Sequence, residues 1–285
     1  MTDASLMRRL ARAGFEALAR LDGATNVSHL YPDEANAILA YHAVGEPAGY
    51  GNISTDRFRR DLDYITQHFT VGDLPAVLDS HGGKRVALTF DDAYDDFYEN
   101  VFPLLREYNV PATLFVPVEF VGGCPDDYAY RFARSPIDHE SFNDPSLFGG
   151  ETVHGPSMMS WDRLNEVAAD PLVTVGTHTR THPDLGRIHD RETLEYEIIG
   201  ARDVLEERLG VDVDRFCYPY GRYSDEAVSV VEESHRLAVT SQHGVLTDIE
   251  AADRYRLPRV RAHKEEQYVR WDLSGLRWEL TELVS

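Results

Sequence analysis

Short apolar runs recur along the chain, each followed by a segment with helical spacing. This alternation limits the possible folds more than any other feature of the sequence. Ala37-Ile38-Leu39-Ala40-Tyr41 is the first run, and others lie at 84–90, 111–116, 172–175, 215–218, 237–240 and 256–260. Each is short, rich in aliphatic and β-branched residues, and bounded by turn residues, which predicts a buried strand. Between them, Ser54 or Thr55 can cap a helix whose Phe58, Leu62, Ile65 and Phe69 share one face. Asp95 or Asp96 can cap one carrying Val101, Leu104 and Leu105. Further helices are expected over 160–169, 191–209 (with Leu194, Ile198, Ala201 and Leu205 on one face), 225–233 and 266–283. Repeated strand–helix units imply a parallel sheet. Seven or eight strands favour an α/β barrel over an open sheet, and such barrels typically need about 250 residues.

Two segments stand outside this rhythm. Leu6, Leu10, Ala13, Ala17 and Leu21 recur at helical spacing, so residues 4–21 are expected to form an amphipathic helix. Residues 1–30 then make an N-terminal helical extension, and residues 31–285 the barrel. Residues 122–158 hold Gly122, Gly123, Pro125, Pro136, Pro145, Gly149, Gly150, Gly155 and Pro156. A structureless loop of that length is usually functional, so it reads as an insertion near the site and not as a domain boundary. Its aromatics, Tyr128, Tyr130, Phe132, Phe142 and Phe148, are expected to pack the loop, with stacking on sugar rings as the alternative.

The formal net charge is -21. Nucleic acid is therefore not an expected partner, because phosphate binding needs a basic footprint. Of the 28 basic residues only Lys84 and Lys264 are lysines. Many carboxylates with almost no lysine would suit a salt-loaded, halophilic cytosol. A codon bias that replaces Lys with Arg gives the same composition. Cys124 and Cys217 are too few and too far apart for a disulfide framework. No apolar run is long enough for a transmembrane helix. Arg8, Arg9, Arg12, Glu16 and Arg20 interrupt any signal-peptide core. Together these predict a cytoplasmic protein, with peripheral membrane attachment as the weaker alternative.

Val86-Ala87-Leu88-Thr89-Phe90-Asp91-Asp92 runs from apolar strand into two adjacent carboxylates. That is the end of a strand where parallel barrels keep their active sites. A second polar cluster, Gly176-Thr177-His178-Thr179-Arg180-Thr181-His182-Pro183, also follows an apolar run. His178 and His182 are four apart, and on a helical turn that spacing puts both imidazoles on one side. Two imidazoles and a carboxylate are a common ligand set for a catalytic zinc, with a fourth position left open. Each motif alone is weak: such histidines also occur in surface loops, and Asp after a strand also caps the next helix. Together, each at the end of its own strand, they predict one metal site. One Asp can then ligate the metal while its neighbour acts as a base.

Thr89-Phe90-Asp91-Asp92, His178-Thr-Arg-Thr-His182-Pro-Asp-Leu185 and Phe216-Cys-Tyr-Pro-Tyr-Gly221, in that order, resemble the polysaccharide deacetylase family, also called carbohydrate esterase family four. The likeness runs over roughly residues 37–262 and is nearest the poly-N-acetylglucosamine deacetylase branch. It implies a distorted (β/α) barrel of about seven parallel strands and removal of acetyl groups from sugars with a divalent metal, most often zinc. It further implies Asp91 as the general base and Asp92, His178 and His182 as metal ligands. The Tyr220 backbone N–H, after Pro219, would help hold the oxyanion. Many members have an Arg bracing the base where this chain has Cys217, and Arg259 is the candidate replacement. For the general acid, His42 in Ala40-Tyr-His-Ala-Val44 is preferred over His263. Pro219 and Trp161 are expected to line the substrate pocket. The expected substrate is a carbohydrate bearing acetamido groups. Two alternatives remain: hydrolysis of another amide, such as a formamide or cyclic ureide, on the same barrel, and an inactive carbohydrate-binding barrel.

Overall fold

A computed structural model describes residues 14, 17–25, 35–45, 52–79, 84–123, 158–263 and 265–282. Seven parallel strands close into a barrel: β1 (Ala37–Tyr41), β5 (Arg85–Phe90), β6 (Ala112–Val116), β7 (Val173–Thr177), β8 (Arg215–Cys217), β9 (Leu237–His243) and β10 (Leu257–Arg261). Pairing of β1 with both β10 and β5 completes the ring. The short strand β4 (Thr70–Val71) lies beside the start of β5. A separate parallel pair, β2 (Ala43–Val44) and β3 (Asn52–Ile53), sits beyond the end of β1. Neither β4 nor this pair was expected, because two-residue strands carry no readable period.

Helices wrap the ring: α1 (17–25), α2 (Thr55–His68), α3 (Phe102–Tyr108), α4 (Trp161–Ala168), α5 (Arg191–Leu209), α6 (Asp225–Ser234), α7 (Glu266–Asp272) and α8 (Gly275–Glu282). Three of their starts follow the capping chemistry of the sequence. Ser54, Ser160 and Ser224 each accept a hydrogen bond from the backbone N–H three residues on. Of the helix expected over 4–21, only the part from residue 17 and residue 14 fall within the described residues. There Ala19 is fully buried, and Gly23 lies against Gln267 at the start of α7.

Two helical expectations need correction. Asp96 makes no capping bond; it enters a π-type turn over Phe97–Val101, and its carboxylate instead accepts from the Val44 N–H at 2.7 Å. The closing helix expected over 266–283 breaks into α7 and α8 at Leu273-Ser274. Buried Asp272 explains the break: His243 Nε2 lies 3.1 Å and Arg277 Nε 2.6 Å from its carboxylate. The Trp278 indole N–H donates to the Asp272 carbonyl at 2.9 Å, which ties α8 to the end of α7.

The core has two layers. Inside the barrel, Ile38, Ala87, Leu237, Val239 and Leu257 pack together, with Leu74 and Val77 of a 3₁₀ turn (Leu74–Leu78) in the same cluster. Outside it, the other face of each strand packs on the helices, as with Leu39, Leu88 and Leu114 against Phe58 and Leu105. Strands buried on both faces are what the unbroken apolar runs predicted. The barrel's polar groups gather at the C-terminal ends of its strands. The insertion over 124–157, with Cys124 and the aromatics noted above, lies outside the described residues, as does Lys264. Among the described residues, no helix is long and apolar enough to cross a membrane.

Candidate active site

Asp91 prolongs β5 by one residue, since its N–H donates to the Tyr41 carbonyl at 3.0 Å. Its side chain therefore continues the inward set begun by Ala87 and Thr89. Inside, it meets Arg259 of β10. The guanidinium donates to both carboxylate oxygens, Nη1 to Oδ1 at 2.8 Å and Nη2 to Oδ2 at 2.7 Å. Arg259 is itself anchored: Nε donates to the Thr240 carbonyl at 2.9 Å and Nη1 to Thr89 Oγ1 at 3.0 Å. Its Nη2 also approaches Cys217 Sγ at 3.2 Å. Both partners are almost wholly buried. Burial alone would raise the Asp91 pKa, but the Arg259 charge and hydrogen bonds overcome it and hold the carboxyl well below the usual carboxylate range.

The next residue turns away. Asp92 and Ala93 adopt positive φ, at 74° and 55°, which lifts the Asp92 carboxylate over the barrel mouth. Tyr94 OH donates to Asp92 Oδ2 at 3.0 Å. Asp92 Oδ1 is buried and has no hydrogen-bond partner among the described residues. It lies 3.7 Å from His178 Nε2 and 3.4 Å from His182 Nε2. The two Nε2 atoms are 3.2 Å apart.

His178 follows β7, and its Nδ1 lies 2.7 Å from the Cys217 carbonyl. A carbonyl only accepts, so Nδ1 carries the proton and Nε2 presents a lone pair to the site. His182 Nδ1 lies 3.1 Å from Tyr220 OH. Burial, reinforced by the neighbouring His178, pushes the His182 pKa down to about 4, which keeps the ring neutral as a ligand must be. The segment from His178 to His182 is not a helical turn. Thr179 (φ 66°) and His182 (φ 59°) are left-handed, and His182 N–H donates to Thr179 Oγ1 at 3.0 Å. The two imidazoles converge through a loop, so the helical reading of their spacing is corrected.

That loop is held by a residue the sequence reading did not single out. Glu197 of α5 is 5% exposed and accepts from Arg180 N at 3.1 Å, Thr181 N at 2.9 Å and Thr181 Oγ1 at 2.7 Å. A signal existed: Glu197 interrupts the apolar face of α5 between Leu194 and Ile198, and a buried carboxylate needs partners. The contacts of Thr89 and Thr240 with Arg259 were not legible because they span strands, whereas Tyr94 turns its hydroxyl back on Asp92 two residues away, which its residue type alone does not mark.

Tyr220 lies in the tight turn Pro219–Gly221, at φ 58°. Gly221 (φ 66°) is pressed on β9, and a Cβ there would come within 2.4 Å of Ser241 N. Pro219 is buried in the same turn. Of six non-glycine residues with positive φ among those described, five (Asp92, Ala93, Thr179, His182 and Tyr220) belong to this site, and strain of this kind clusters at functional positions.

His42 stands at the end of β1 with Nε2 3.8 Å from Asp91 Oδ2, and its side chain is 41% exposed. His263 lies two residues beyond β10, where the Ala262 N–H donates to the Ala40 carbonyl at 3.0 Å. Trp161 is set apart from this group. It opens α4, packs against the outer core, and has the Arg208 guanidinium 5.0 Å from its ring centroid.

Among the described residues, two overlapping sets of side chains could hold a cation: Asp92, His178 and His182, or Asp91, His178 and Cys217. The first fits. It has two imidazole lone pairs and a buried carboxylate oxygen without a donor among the described residues, and two imidazoles with a carboxylate are a common ligand set for a catalytic zinc. The second does not, because both Asp91 oxygens are taken by Arg259 and burial pushes the Cys217 thiol pKa well up.

Comparison with known proteins agrees with this geometry. The model of the polysaccharide deacetylase family matches residues 79–238. The chain belongs to the polysaccharide deacetylase family. It is 25% identical over 239 residues to the poly-beta-1,6-N-acetyl-D-glucosamine N-deacetylase of Escherichia coli strain K12, covering 71% of this chain and 33% of that protein. The Staphylococcus epidermidis protein of the same name is 22% identical over 185 residues, covering 62% and 54%. The chain thus spans about a third to a half of these curated relatives. Among solved structures, IcaB from Ammonifex degensii shares the fold with a TM-score of 0.64 at 22% identity, covering 84% of this chain and 97% of that one. The Streptococcus pyogenes deacetylase PplD, in complex with acetate, gives 0.60 at 21%, covering 80% and 92%.

Proposed function

We propose that this member of the family is a metal-dependent hydrolase that removes the N-acetyl group of a carbohydrate, of the N-acetylglucosamine type. One observation carries the reading: a buried Asp92 oxygen without a donor among the described residues, facing the Nε2 atoms of His178 and His182. The names of the curated relatives support the choice of sugar, and residues 31–285 form the catalytic unit in this reading. Asp92, His178 and His182 would hold the cation, with zinc the preferred ion for this donor set. Bound there, a divalent cation supplies Lewis acidity to the acetyl carbonyl and makes water a better acid.

The chain's own residues do the rest. Asp91 accepts the proton of the attacking water. Its pairing with Arg259 keeps it ionised and fixes its direction at the cost of basicity. The Tyr220 backbone N–H donates to the oxygen that becomes negative as the carbonyl turns tetrahedral; one such donor is worth about 3–4 kcal/mol. His42, 3.8 Å from Asp91, protonates the leaving amine. The Tyr220 hydroxyl and the Cys217 carbonyl orient the two imidazoles.

The test is acetate release from tri-N-acetylchitotriose by protein loaded with zinc, cobalt or nickel. Asp91→Asn should lower kcat by about 10²–10⁴-fold. Asp92→Ala should weaken cation binding, measured by calorimetry, by more than about a hundredfold. Undiminished kcat in the Asp91→Asn protein would sink the base assignment. Formate released from formamido sugars, with no acetate from acetamido ones, would change the substrate class. Wild-type protein that binds no cation would leave a carbohydrate-binding barrel instead.

A further inference from the structure

A cleft of about 560 Å³ opens beside the candidate active site. That volume lies in the range of small-molecule sites. Tyr220 and Thr240 line it, and both also belong to the site: the Tyr220 hydroxyl contacts His182 and the Thr240 carbonyl anchors Arg259. Its charge is opposite to that of the molecule. Three arginines, Arg187, Arg222 and Arg261, line it against one carboxylate, Asp184, in a chain of net charge -21.

The single carboxylate is already committed. Asp184 Oδ2 accepts from Arg222 Nη1 at 3.0 Å and lies 3.6 Å from Arg187 Nε, while Oδ1 accepts from Gly186 N at 3.0 Å. Its side chain is 9% exposed, against 40% for Arg222 and 57% for Arg187. Asp184 therefore gathers two guanidinium groups at the wall and neutralises only one of their two charges. Arg261 comes from β10, and its Nη2 lies 3.4 Å from the Ser241 carbonyl. It lies two residues beyond Arg259 on the same face of β10, at the barrel mouth, and is exposed. Positive charge concentrated in a cleft of an acidic protein raises the local concentration of anions. Guanidinium groups match phosphate and carboxylate oxygens bidentately. A neutral sugar could accept hydrogen bonds from these groups but would gain nothing from their charge.

We propose that this cleft is an anion subsite, and that the substrate carries a phosphate or a carboxylate on the saccharide next to the acetamido group. Arg187, Arg222 and Arg261 are the specificity-determining residues. This rests on the deacetylase reading above and names the class of its substrate.

The test uses zinc-loaded protein with three substrates: tri-N-acetylchitotriose, N-acetylglucosamine 1-phosphate, and a disaccharide carrying the lactyl carboxylate of N-acetylmuramic acid. One of the two anionic substrates should exceed the neutral one in kcat/KM by about tenfold or more, the worth of one charge-assisted hydrogen bond. Which of the two does so identifies the anion. The Arg187→Gln/Arg261→Gln double variant changes two exposed side chains, so its fold should persist, with an unchanged thermal midpoint as the check. It should reduce the anionic-to-neutral ratio by about tenfold. Calorimetric binding of glucosamine 1-phosphate, or of the deacetylated lactyl disaccharide, needs no turnover and should weaken in the same variant. A ratio near one, unmoved by the variant, overturns the subsite and leaves the deacetylase standing. Product binding that depends on the arginines, with no acetate released from any substrate, keeps the subsite and overturns the deacetylase. No binding and no release overturns both.

Discussion

The two halves of the barrel interior are filled by opposite chemistry. Near the N-terminal ends of the strands it is hydrocarbon: Ile38, Ala87, Leu237, Val239 and Leu257 pack with Leu74 and Val77. Near the C-terminal ends, Thr89, Asp91, Cys217 and Arg259 are linked by directed contacts, and Asp92, His178 and His182 converge beside them. A hydrocarbon packing loses a methylene locally. A polar network depends on every member, because a buried group deprived of its partner bears its full desolvation cost. The lower half therefore sets stability, and the upper half trades stability for a defined geometry, leaving one carboxylate oxygen to be satisfied from outside.

Arg259→Met tests that contrast most severely. It leaves Asp91 buried without its cation and should cost about 3–5 kcal/mol in urea unfolding at pH 7. Adding Asp91→Asn should return part of that loss. If the single variant is as stable as wild type, the network is not interdependent and the contrast fails.

A smaller effect is expected at Asp96, under the turn after β1. Burial, opposed by the hydrogen bond from Val44 N–H, pushes its pKa up to about 7. A carboxyl whose folded pKa is raised binds more protons folded than unfolded, so its contribution falls as pH rises from about 4 to 7. Asp96→Asn keeps an acceptor for Val44 without the charge. It should add about 2 kcal/mol of stability at pH 8 and little at pH 4, read as urea midpoints at the two values. Equal gains at both would assign the effect to packing.

The smallest expected effect is in the lower half. Ile38→Val should cost about 1 kcal/mol and leave kcat per folded molecule unchanged. A change in kcat would show that the hydrocarbon layer also positions the catalytic one, and the division between the halves would have to be redrawn.

The site was legible wherever its signal was local. Asp91 and Asp92 stand at the tip of an apolar strand, and His178 and His182 follow another, so strand ends and residue types sufficed to bring them together. The spacing of the two histidines misled about the backbone between them, because four residues fit a helical turn and a left-handed loop equally well. Glu197 left a trace as a carboxylate on an apolar helix face, yet its partners in the 180–181 loop could not be read from that face. Cys217 announced a missing brace, and Arg259 was a candidate among many arginines.

By itself, the sequence determined the barrel and the list of groups at its mouth. Apolar runs must be buried, their period is local, and a parallel barrel delivers strand-end residues to one rim. Only the tertiary structure decided which groups are paired and which is left open. Asp91 and Arg259 are 168 residues apart, and nothing local distinguishes the carboxylate that Arg259 grips from the one beside it. Closure of β10 onto β1 brings the guanidinium to Asp91, while a left-handed turn lifts Asp92 away toward the histidines. That division of two adjacent carboxylates depends on chain closure, which no short stretch of sequence encodes.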